Sequence, residues 1–346
     1  MTVSVLRTAD RWWAAVDDHH AVPVDTTVTT TGELLADVAA VHRAPAAPAV
    51  EPRPIAELPL VSPVTAPCRV VAQMTDFVSH VRDSGMDPDT VPLTFFRKTS
   101  GSISGPYDEN VKPGHVRFLD YGIELGLVVG RPLDVGATVT AANWKDHIAG
   151  LVVTNDVSAR DVQLPRTQFY ETKSYPTFTP VGPALVLFDA GEPDRLAELQ
   201  LVLKVNGEIR QNSDLTDMIY SPLRALQELS RFQALATGDL ILTGTPGGTA
   251  LKAPPKPVEL LAAFLPPATK RKASHIPPSR RPGRRAAGPA GGRGTGRVCD
   301  RRRRHGGGGG TAHLGRRPRR RGGRRPPSPA GGRRCARQPR PRPRRA

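Results

Sequence analysis

The stretch LVVTNDVSARDVQLPRTQFYETK, residues Leu151–Lys173, decides how the rest of the chain is interpreted. Its first four residues are apolar and mostly β-branched, which is the pattern of a buried strand. The segment that follows, Asn155–Ser158, has the composition of a helix N-cap. This pattern predicts that Asp156 lies at a strand-to-helix junction, a common position for a functional carboxylate.

Two further polar residues follow Asp156 at helical spacing. Arg160 and Gln163 stand at positions i+4 and i+7, so a helix that begins here would carry all three side chains on one face. A carboxylate, a guanidinium and an amide on one face suit a metal ion and an anionic substrate. From these residues alone, a capping aspartate with a local Asp–Arg pair explains the pattern equally well.

The charge of the chain is divided unevenly between a long body and a basic C-terminal segment. The 346 residues carry a formal net charge of +17, with 49 Lys and Arg against 32 Asp and Glu. Residues 271–346 hold 26 of the basic residues and one acidic residue, Asp300, which makes this segment +25. Residues 1–270 therefore carry a net charge of −8. Such a body is typical of a mildly acidic soluble protein of one large or two ordinary domains.

Cysteine usage and hydropathy predict a cytoplasmic protein. Cys68, Cys299 and Cys335 lie far apart and show neither zinc-ligand spacing nor a disulfide framework. The N-terminus lacks the continuous apolar segment of a signal peptide, and no apolar run approaches the roughly 18 residues needed to cross a bilayer. We therefore expect a reducing compartment and no membrane partner.

Two segments before the opening stretch carry candidate chemical groups. Asp76 follows a predicted buried strand and is predicted to cap a helix over residues 77–84, on which His80 and Asp83 are three residues apart. A histidine beside a carboxylate is a competent general base, although such a pair is more often a surface ion pair. Lys98, at the mouth of a Gly/Ser-rich loop, is placed to meet an anion, although a plain hairpin loop also explains this segment.

The clearest strand signal covers residues 116–129. Apolar side chains alternate there with Asp120, Gly122 and Glu124, and the period of two places these three in one row. Neighbours in such a row are about 7 Å apart, close enough to converge on one cation if the strand bends. Two carboxylates in a row are equally typical of a solvated face. A glycine inside a strand usually marks a bulge or a missing side chain.

Two loops after the opening stretch complete the set of candidates. Lys173 begins a loop rich in proline and is placed to bring an ammonium group over the site as a point charge. Thr245 lies in the loop TGTPGG, residues 243–248, whose backbone N–H groups suit a carboxylate or a phosphate. A structural turn explains this loop equally well.

Five motifs, taken in order, resemble the fumarylacetoacetate hydrolase family. They are DYGIEL (120–125), TNDVSARDVQ (154–163), KSYPTFTPVGP (173–183), VNGEIRQ (205–211) and GDLILTGTPGG (238–248). The resemblance implies a mainly β fold with short helices, a β roll of layered sheets, assembled as a homodimer. It also implies bound Mg²⁺, Mn²⁺ or Ca²⁺ and a 2-oxo or 1,3-diketo acid substrate, of the kind met in aromatic catabolism.

The resemblance assigns the metal ligands and the general base. Glu124 and Asp156 correspond to metal-binding carboxylates, which are the hard oxygen ligands that Mg²⁺ prefers. Asp76 corresponds to an additional metal ligand. His80 corresponds to the general base that activates water, and Asp83 stands where its partner glutamate often occurs.

The resemblance also assigns groups that hold the substrate. Lys173 corresponds to the lysine that stabilises developing enolate charge beside the metal. Arg160 and Gln163 correspond to residues that orient the site, and Thr245 lies in a loop that contacts the substrate. Arg160, Gln163 and Thr245, together with Lys98, are predicted to bind the substrate. Lys173 is predicted to be catalytic, with His80 and Asp83.

The predicted function is a divalent-metal-dependent hydrolase that cleaves a C–C bond in a fumarylacetoacetate- or acylpyruvate-like acid. An oxaloacetate-type decarboxylase or a hydratase/isomerase with the same site is an alternative. From a different class, the chain is an inactive relative whose basic tail binds nucleic acid.

Composition predicts three regions. Residues 1–66 form an N-terminal region and a Pro/Ala-rich connector, residues 67–265 a catalytic domain without its C-terminal strands, and residues 266–346 a disordered tail. The tail contains no Phe, Tyr or Trp and therefore lacks the means to bury a core. Its abrupt onset suggests an out-of-frame reading of GC-rich coding sequence. The competing interpretation is an Arg-rich arm that binds nucleic acid. Aromatic residues between the charges would favour that interpretation, and this segment has none.

Gly122 stands where the family strand, D-[YW]-E-x-E-L, normally has its first metal-binding glutamate. The glycine removes one ligand and one negative charge, so we expect weak Mg²⁺ binding. Gly122→Glu is expected to tighten Mg²⁺ binding by at least about tenfold because it restores both. Titration calorimetry measures this change, and an unchanged affinity would contradict the assignment.

Overall fold

The computed structural model describes residues 2–166, 168–188 and 196–253, together with the backbone of residues 312–316. The strands are β1 (Val3–Arg7), β2 (Trp12–Ala15), β3 (His20–Pro23), β4 (Arg53–Pro54), β5 (Val70–Met74), β6 (Thr94–Lys98), β7 (Ile103–Ser104), β8 (Leu119–Asp120), β9 (Ile123–Val129), β10 (Ile148–Asn155), β11 (Ser158–Ala159), β12 (Thr179–Pro180), β13 (Leu185–Leu187), β14 (Leu199–Val205), β15 (Glu208–Asp214), β16 (Leu240–Leu242) and β17 (Ala312–Arg316). The helices are α1 (Thr31–Ala36), α2 (Val38–Ala46), α3 (Val78–Asp83), α4 (Arg160–Arg166) and α5 (Pro222–Leu229).

A ten-stranded sheet forms the centre of the fold. Its strand order is β4-β3-β2-β1-β13-β10-β9-β16-β5-β6. Neighbouring strands are antiparallel except β16 and β5, which run parallel. Smaller sheets pair β8 with β11, β7 with β12, and β14 with β15 and β17. The predicted mainly β fold of layered sheets with short helices is confirmed.

Both faces of the ten-stranded sheet are covered. Val128 belongs to an apolar cluster on one face that includes Leu34 of α1. Leu127 belongs to a cluster on the other face that includes Leu201 of β14. All seven residues of β9 are consequently buried, and Glu124 is buried with them. Both faces of β9 are therefore covered. The alternative interpretation of the alternating pattern, a solvated face, does not apply to β9.

The N-terminal strands belong to the main sheet. β1 pairs antiparallel with β13, with Val5 opposite Leu185, and β2, β3 and β4 extend the sheet from there. Side chains of β1, β2 and β3, within the predicted N-terminal region of residues 1–66, belong to the apolar clusters of the fold. Strands of two to five residues are too short for their periodicity to reveal which neighbour they pair with.

The predicted strand over residues 116–129 is interrupted between β8 and β9. At the interruption, the Gly122 N–H donates to Asn155 Oδ1 at 2.9 Å. The Gly122 carbonyl accepts a hydrogen bond from the Asp156 N–H at 2.8 Å. These two bonds tie the start of β9 to the end of β10.

Residues 155–158, whose composition predicted a helix N-cap, do not begin a helix. β10 ends at Asn155, the short strand β11 follows, and α4 begins only at Arg160. The prediction that Asp156, Arg160 and Gln163 share one helix face is therefore wrong, because Asp156 precedes the helix. Pairing of β11 with β8 explains the difference, since Ser158 lies opposite Asp120 in extended conformation.

The motif VNGEIRQ forms the hairpin between β14 and β15. Asn206 and Gly207 have φ angles of 54° and 81°, the left-handed conformation that a type I′ turn requires. Gln211, the last residue of this motif, lies in β15 and is buried.

Of the predicted disordered tail, only residues 312–316 are among those described. These residues form β17, which pairs antiparallel with β14 so that Leu199 lies opposite Arg316. The rest of the tail, and with it the nucleic-acid interpretation, lies outside the described residues.

Within the described part of the chain, no helix combines the length and the apolar character that crossing a membrane requires.

Gly150 in β10 is a sensitive point of the sheet. A Cβ at this position would lie 2.2 Å from the Val186 carbonyl oxygen of β13. Gly150→Ala is expected to lower the free energy of unfolding by about 2–4 kcal/mol, because the backbone of a central strand must move. Urea denaturation measures the loss.

Gly114→Ala is the matched control for this substitution. A Cβ at Gly114 would have nothing within 4 Å. We expect a change of less than about 0.5 kcal/mol. Equal stability of the two variants would show that β10 and β13 are not paired in this register.

Candidate active site

A cavity of about 410 Å³ lies over β5, β6 and β9, beside α3 and α4. Seven of the ten predicted site residues line this cavity, namely His80, Glu124, Asp156, Arg160, Gln163, Lys173 and Thr245. Asp76, Asp83 and Lys98 are not among its lining residues. Residues from four of the five family-like motifs thus meet at one place.

Asp156 is held by two lysines. Its Oδ1 accepts a hydrogen bond from Lys98 Nζ at 2.6 Å, and its Oδ2 accepts one from Lys173 Nζ. Lys98 also donates to the Phe178 carbonyl at 2.8 Å, and its side chain is 0% exposed. Lys98 therefore positions Asp156, and the structure does not place it at the cavity surface where it was predicted to bind substrate.

Burial and charge act in opposite directions on this cluster. Burial by itself raises the pKa of Asp156, but the two ammonium groups outweigh it and lower that pKa to about 2. Burial lowers the pKa of Lys173, and the charge of Asp156 opposes this effect. Asp156 is therefore an anion at neutral pH, locked between two cations.

Glu124 lies on the strand next to Asp156. It is opposite Thr154 in the pairing of β9 with β10. Its Oε2 accepts a hydrogen bond from the Gly244 N–H at 2.8 Å, in the TGTPGG loop. Burial, followed by the negative charge of Asp156, raises the pKa of Glu124. Glu124 in β9 and Asp156 just after β10 are thus two buried carboxylates that line the cavity and favour positive charge there.

Arg160 is fixed by Asp120, which the sequence placed in a row with Glu124 as a possible cation ligand and did not pair with Arg160. Arg160 Nε donates to Asp120 Oδ2 at 2.8 Å, and Arg160 Nη1 donates to Gln163 Oε1 at 2.9 Å. Asp120 also accepts hydrogen bonds from the N–H groups of Ala250 at 2.7 Å and Leu251 at 3.3 Å. Its place in the motif DYGIEL was the signal that could have revealed it.

His80 lines the cavity without a partner for one ring nitrogen. Its Nδ1 is buried and has no hydrogen bond within the described residues. Burial, then the charges of Arg160 and Lys173, lower the pKa of His80 to about 4. Asp83 accepts a hydrogen bond from the Gly248 N–H at 2.9 Å, and its described contacts do not join it to His80 as their spacing predicted.

Thr245 is held by Gln211, a residue that the sequence did not identify. Gln211 Nε2 donates to Thr245 Oγ1 and to the Pro246 carbonyl, both at 2.8 Å. Gln211 Oε1 accepts a hydrogen bond from the Ile123 N–H at 2.9 Å. Gln211 thus ties the hairpin to the TGTPGG loop and to the residue before Glu124.

Gly122 leaves space that Thr245 approaches. A Cβ at Gly122 would lie 3.1 Å from Thr245 Oγ1 and 3.3 Å from its Cγ2. A glutamate at this position therefore requires Thr245 to shift by a few tenths of an ångström. The side chain of Thr245 now lies close to the place from which the family glutamate would start.

Asp76 is buried and is not among the residues that line the cavity. Its Oδ1 accepts from the Tyr220 N–H at 2.8 Å and its Oδ2 from Gln73 Nε2 at 3.0 Å. Burial raises the pKa of Asp76 to about 8. It does not cap α3 as predicted, because the N-cap residue of this helix is Phe77 and lacks a side-chain hydrogen bond.

The donor set for a cation is therefore smaller than predicted. Within the described residues, no group of three or more His, Cys, Asp or Glu side chains is placed to hold a metal ion. Glu124 and Asp156 remain, and Gln73 lines the cavity with an Oε1 that has no hydrogen-bond partner. Two carboxylates and an amide oxygen are ligands that Mg²⁺ and Ca²⁺ accept, so the residues fit a weakly held divalent cation.

Apart from Gln73, Thr75 and Ser84, the remaining lining residues of the cavity are apolar. Phe96 and Phe169 stack with their ring centroids 5.4 Å apart, and Lys173 Nζ lies 4.9 Å from the Phe96 centroid. The other apolar lining residues are Met74, Met86, Val91, Pro92, Leu164 and Leu251. Apolar and charged side chains therefore adjoin each other in this cavity.

Comparison with known proteins defines the family. The family described as "Fumarylacetoacetate (FAA) hydrolase C-terminal" matches residues 69–268, more than half of the chain. The chain belongs to the fumarylacetoacetate hydrolase family. This confirms the resemblance that the five motifs indicated.

Curated relatives and solved structures agree with this assignment. Fumarylacetoacetate hydrolase domain-containing protein 2 of Pongo abelii is 36% identical over 201 residues, and human mitochondrial oxaloacetate tautomerase FAHD2A is 35% identical over 201 residues. Each match covers 57% of this chain and 62% of the relative, so the chain spans about 62% of the length of these relatives. A structure described as a probable 2-hydroxyhepta-2,4-diene-1,7-dioate isomerase of Mycobacterium abscessus is 30% identical with a TM-score of 0.61, covering 72% of this chain and 87% of that one.

The buried pair of Asp120 and Arg160 makes a testable contribution to stability. Asp120→Asn is expected to lower the free energy of unfolding by about 3 kcal/mol, because it leaves a buried guanidinium without its anion. Asp146→Asn breaks a pair with Arg131 in which both side chains are more than half exposed. We expect this control to lose less than about 1 kcal/mol. Chemical denaturation of both variants measures the difference, and equal losses would contradict the role of Asp120.

Proposed function

We propose that the protein is a divalent-metal-dependent enzyme that hydrolyses a C–C bond in a 2-oxo or 1,3-diketo acid. One observation carries this proposal: a single cavity gathers two buried carboxylates, two cationic side chains and a neutral histidine. Such a set can hold an anionic substrate, stabilise an enolate and accept a proton from water. The family membership of the chain supports the same class of chemistry.

The carboxylate of the substrate binds beside the cationic side chains that line the cavity. Lys173 and Arg160 supply positive charge for the 2-oxo carboxylate, and Thr245 supplies a hydroxyl. Glu124 and Asp156 would hold Mg²⁺, Mn²⁺ or Ca²⁺, and when bound this ion supplies Lewis-acid polarisation of the 2-oxo group. Gln163 keeps Arg160 in place through its own hydrogen bond.

The chemical step begins at His80. The neutral imidazole accepts a proton from water while the water oxygen forms a bond to the distal carbonyl carbon. The C–C bond between that carbon and the methylene then breaks, and its electron pair passes into the enolate of pyruvate. Lys173 stabilises the enolate oxygen, and protonation of the methylene carbon gives pyruvate beside a second carboxylic acid.

An enolisation without water attack is the second candidate function. Oxaloacetate tautomerisation or decarboxylation and diene-dioate isomerisation pass through the same kind of enolate, so the same lysine and carboxylates serve them. The relatives at 35% and 30% identity, an oxaloacetate tautomerase and a probable diene-dioate isomerase, favour this candidate. We further propose a cytoplasmic homodimer with a small-molecule substrate, without a membrane or nucleic-acid partner for its body.

Pyruvate release from a 2,4-dioxo acid in the presence of Mg²⁺ tests the proposal. Lys173→Met is expected to lower kcat by about 100-fold or more, because the enolate loses its cationic partner. Lys204→Met, on β14 and outside the cavity, should retain wild-type turnover. Thermal unfolding of each variant confirms that it is folded.

Two results would decide against the hydrolase. Absence of pyruvate release from any 2,4-dioxo acid contradicts C–C hydrolysis. Keto–enol interconversion or CO₂ release from oxaloacetate, followed in the same preparation, would then identify the enolisation candidate. Full activity of Lys173→Met in either assay would contradict the site itself.

A further inference from the structure

We propose that Asp83 is a positioning residue for substrate binding rather than the carboxylate partner of His80. In this assignment Asp83 anchors a strap, residues 248–253, that carries Leu251 into the cavity wall and meets Arg160 through Asp120. The inference rests on the proposed function for the roles of His80 and Arg160.

Both ends of the strap bind Asp83, the last residue of α3. At the start of the strap, the Gly248 N–H donates to Asp83 Oδ2 at 2.9 Å. At its end, the Ala253 N–H donates to the Asp83 carbonyl at 2.9 Å, and Lys252 Nζ lies 3.3 Å from Asp83 Oδ2. The strap therefore begins and ends against one residue.

The middle of the strap binds Asp120. The Ala250 N–H donates to Asp120 Oδ1 at 2.7 Å, and the Leu251 N–H donates to Asp120 Oδ2 at 3.3 Å. The same Oδ2 accepts a hydrogen bond from Arg160 Nε at 2.8 Å. Arg160 and Leu251 both line the cavity, so one carboxylate joins the strap to the guanidinium that is proposed to bind substrate.

The start of the strap is confined between α3 and β15. Gly248 has a φ of 98°, and a Cβ at this position would lie 2.1 Å from the Arg210 carbonyl oxygen of β15. The preceding residue, Gly247, donates its N–H to Ser79 Oγ of α3 at 2.8 Å. The strap therefore enters in a fixed direction, at the point where Asp83 binds it.

The carboxylate of Asp83 is directed to the strap. Its Oδ2 accepts from Gly248, and its Oδ1 lies 3.4 Å from Lys252 Nζ. None of its described hydrogen bonds joins it to His80, and its charge has a smaller effect on the pKa of His80 than that of Asp120. Asp83 therefore acts on what the strap holds, which is part of the substrate-binding wall.

Two substitutions of Asp83 test the inference on the full chain with Mg²⁺. Asp83→Ala removes the acceptor of the Gly248 N–H, whereas Asp83→Asn keeps a side-chain oxygen for it and loses the negative charge. We expect Asp83→Ala to raise KM for 2,4-dioxopentanoate about fivefold, with kcat within about twofold of wild type, because one hydrogen bond of the strap is lost. Asp83→Asn should restore KM to within about twofold of wild type. A partner of His80 that acts through its charge would instead lose kcat in both variants.

Hydrogen exchange of residues 248–253, followed by mass spectrometry, gives a second readout. Exchange should be faster in Asp83→Ala than in the wild type or in Asp83→Asn, because the Gly248 N–H loses its acceptor. Asp17→Ala is the matched control, since Asp17 accepts hydrogen bonds from the N–H groups of His19 and His20, both at 2.7 Å, and does not line the cavity. It should change neither KM nor the exchange of the strap.

The outcomes separate this inference from the proposed function. A loss of kcat at unchanged KM in Asp83→Ala, equal losses in the two variants, or no change in either overturns the role of Asp83 and leaves the hydrolase intact. Where the wild type releases no pyruvate, calorimetric titration with the same acid replaces KM. Weaker binding by Asp83→Ala alone then supports the strap and contradicts the hydrolase, and failure of the wild type to bind the acid overturns both.

Discussion

The charge balance around Asp156 is the constraint on which the site depends. A buried carboxylate is costly unless it is paired and hydrogen-bonded, and here each of its oxygens accepts from a lysine. Lys98 comes from β6 and Lys173 from the loop after α4, so the pair draws two distant segments onto the end of β10. Removing one partner would leave the other charge uncompensated in the interior. The fold and the site are therefore coupled through this one side chain.

The ten-stranded sheet supplies the setting for these charges. Its two faces are covered by helices on one side and by the β14–β15 hairpin and α5 on the other. Glu124 and Asp156 therefore stand in a low-dielectric interior, where attraction and repulsion between charges are stronger than in water. Burial raises the pKa of both carboxylates. The negative charge of Asp156 raises that of Glu124 further, whereas the two lysines lower that of Asp156.

The site differs from its family pattern at Gly122, and the structure shows a physical consequence. Thr245 approaches the space that a glutamate side chain would enter, and Gln211 holds it there. Asp156 is paired with Lys98 and Lys173, and Asp120 is paired with Arg160, so each of these carboxylates has a cationic partner before any metal ion or substrate binds.

Local sequence determined much of the fold. Alternating apolar residues marked β9, an apolar, β-branched run marked β10, and Asn206-Gly207 specified the hairpin turn, because these signals depend on neighbours along the chain. The five motifs named the family and contain six of the predicted residues that line the cavity, while the seventh, His80, lies outside them. Tertiary structure alone decided that Asp120 anchors Arg160, that Gln211 holds Thr245, and that Lys98 supports Asp156. These partners lie between 34 and 58 residues apart, and their pairing follows from which strands meet in the sheet, which local periodicity does not encode.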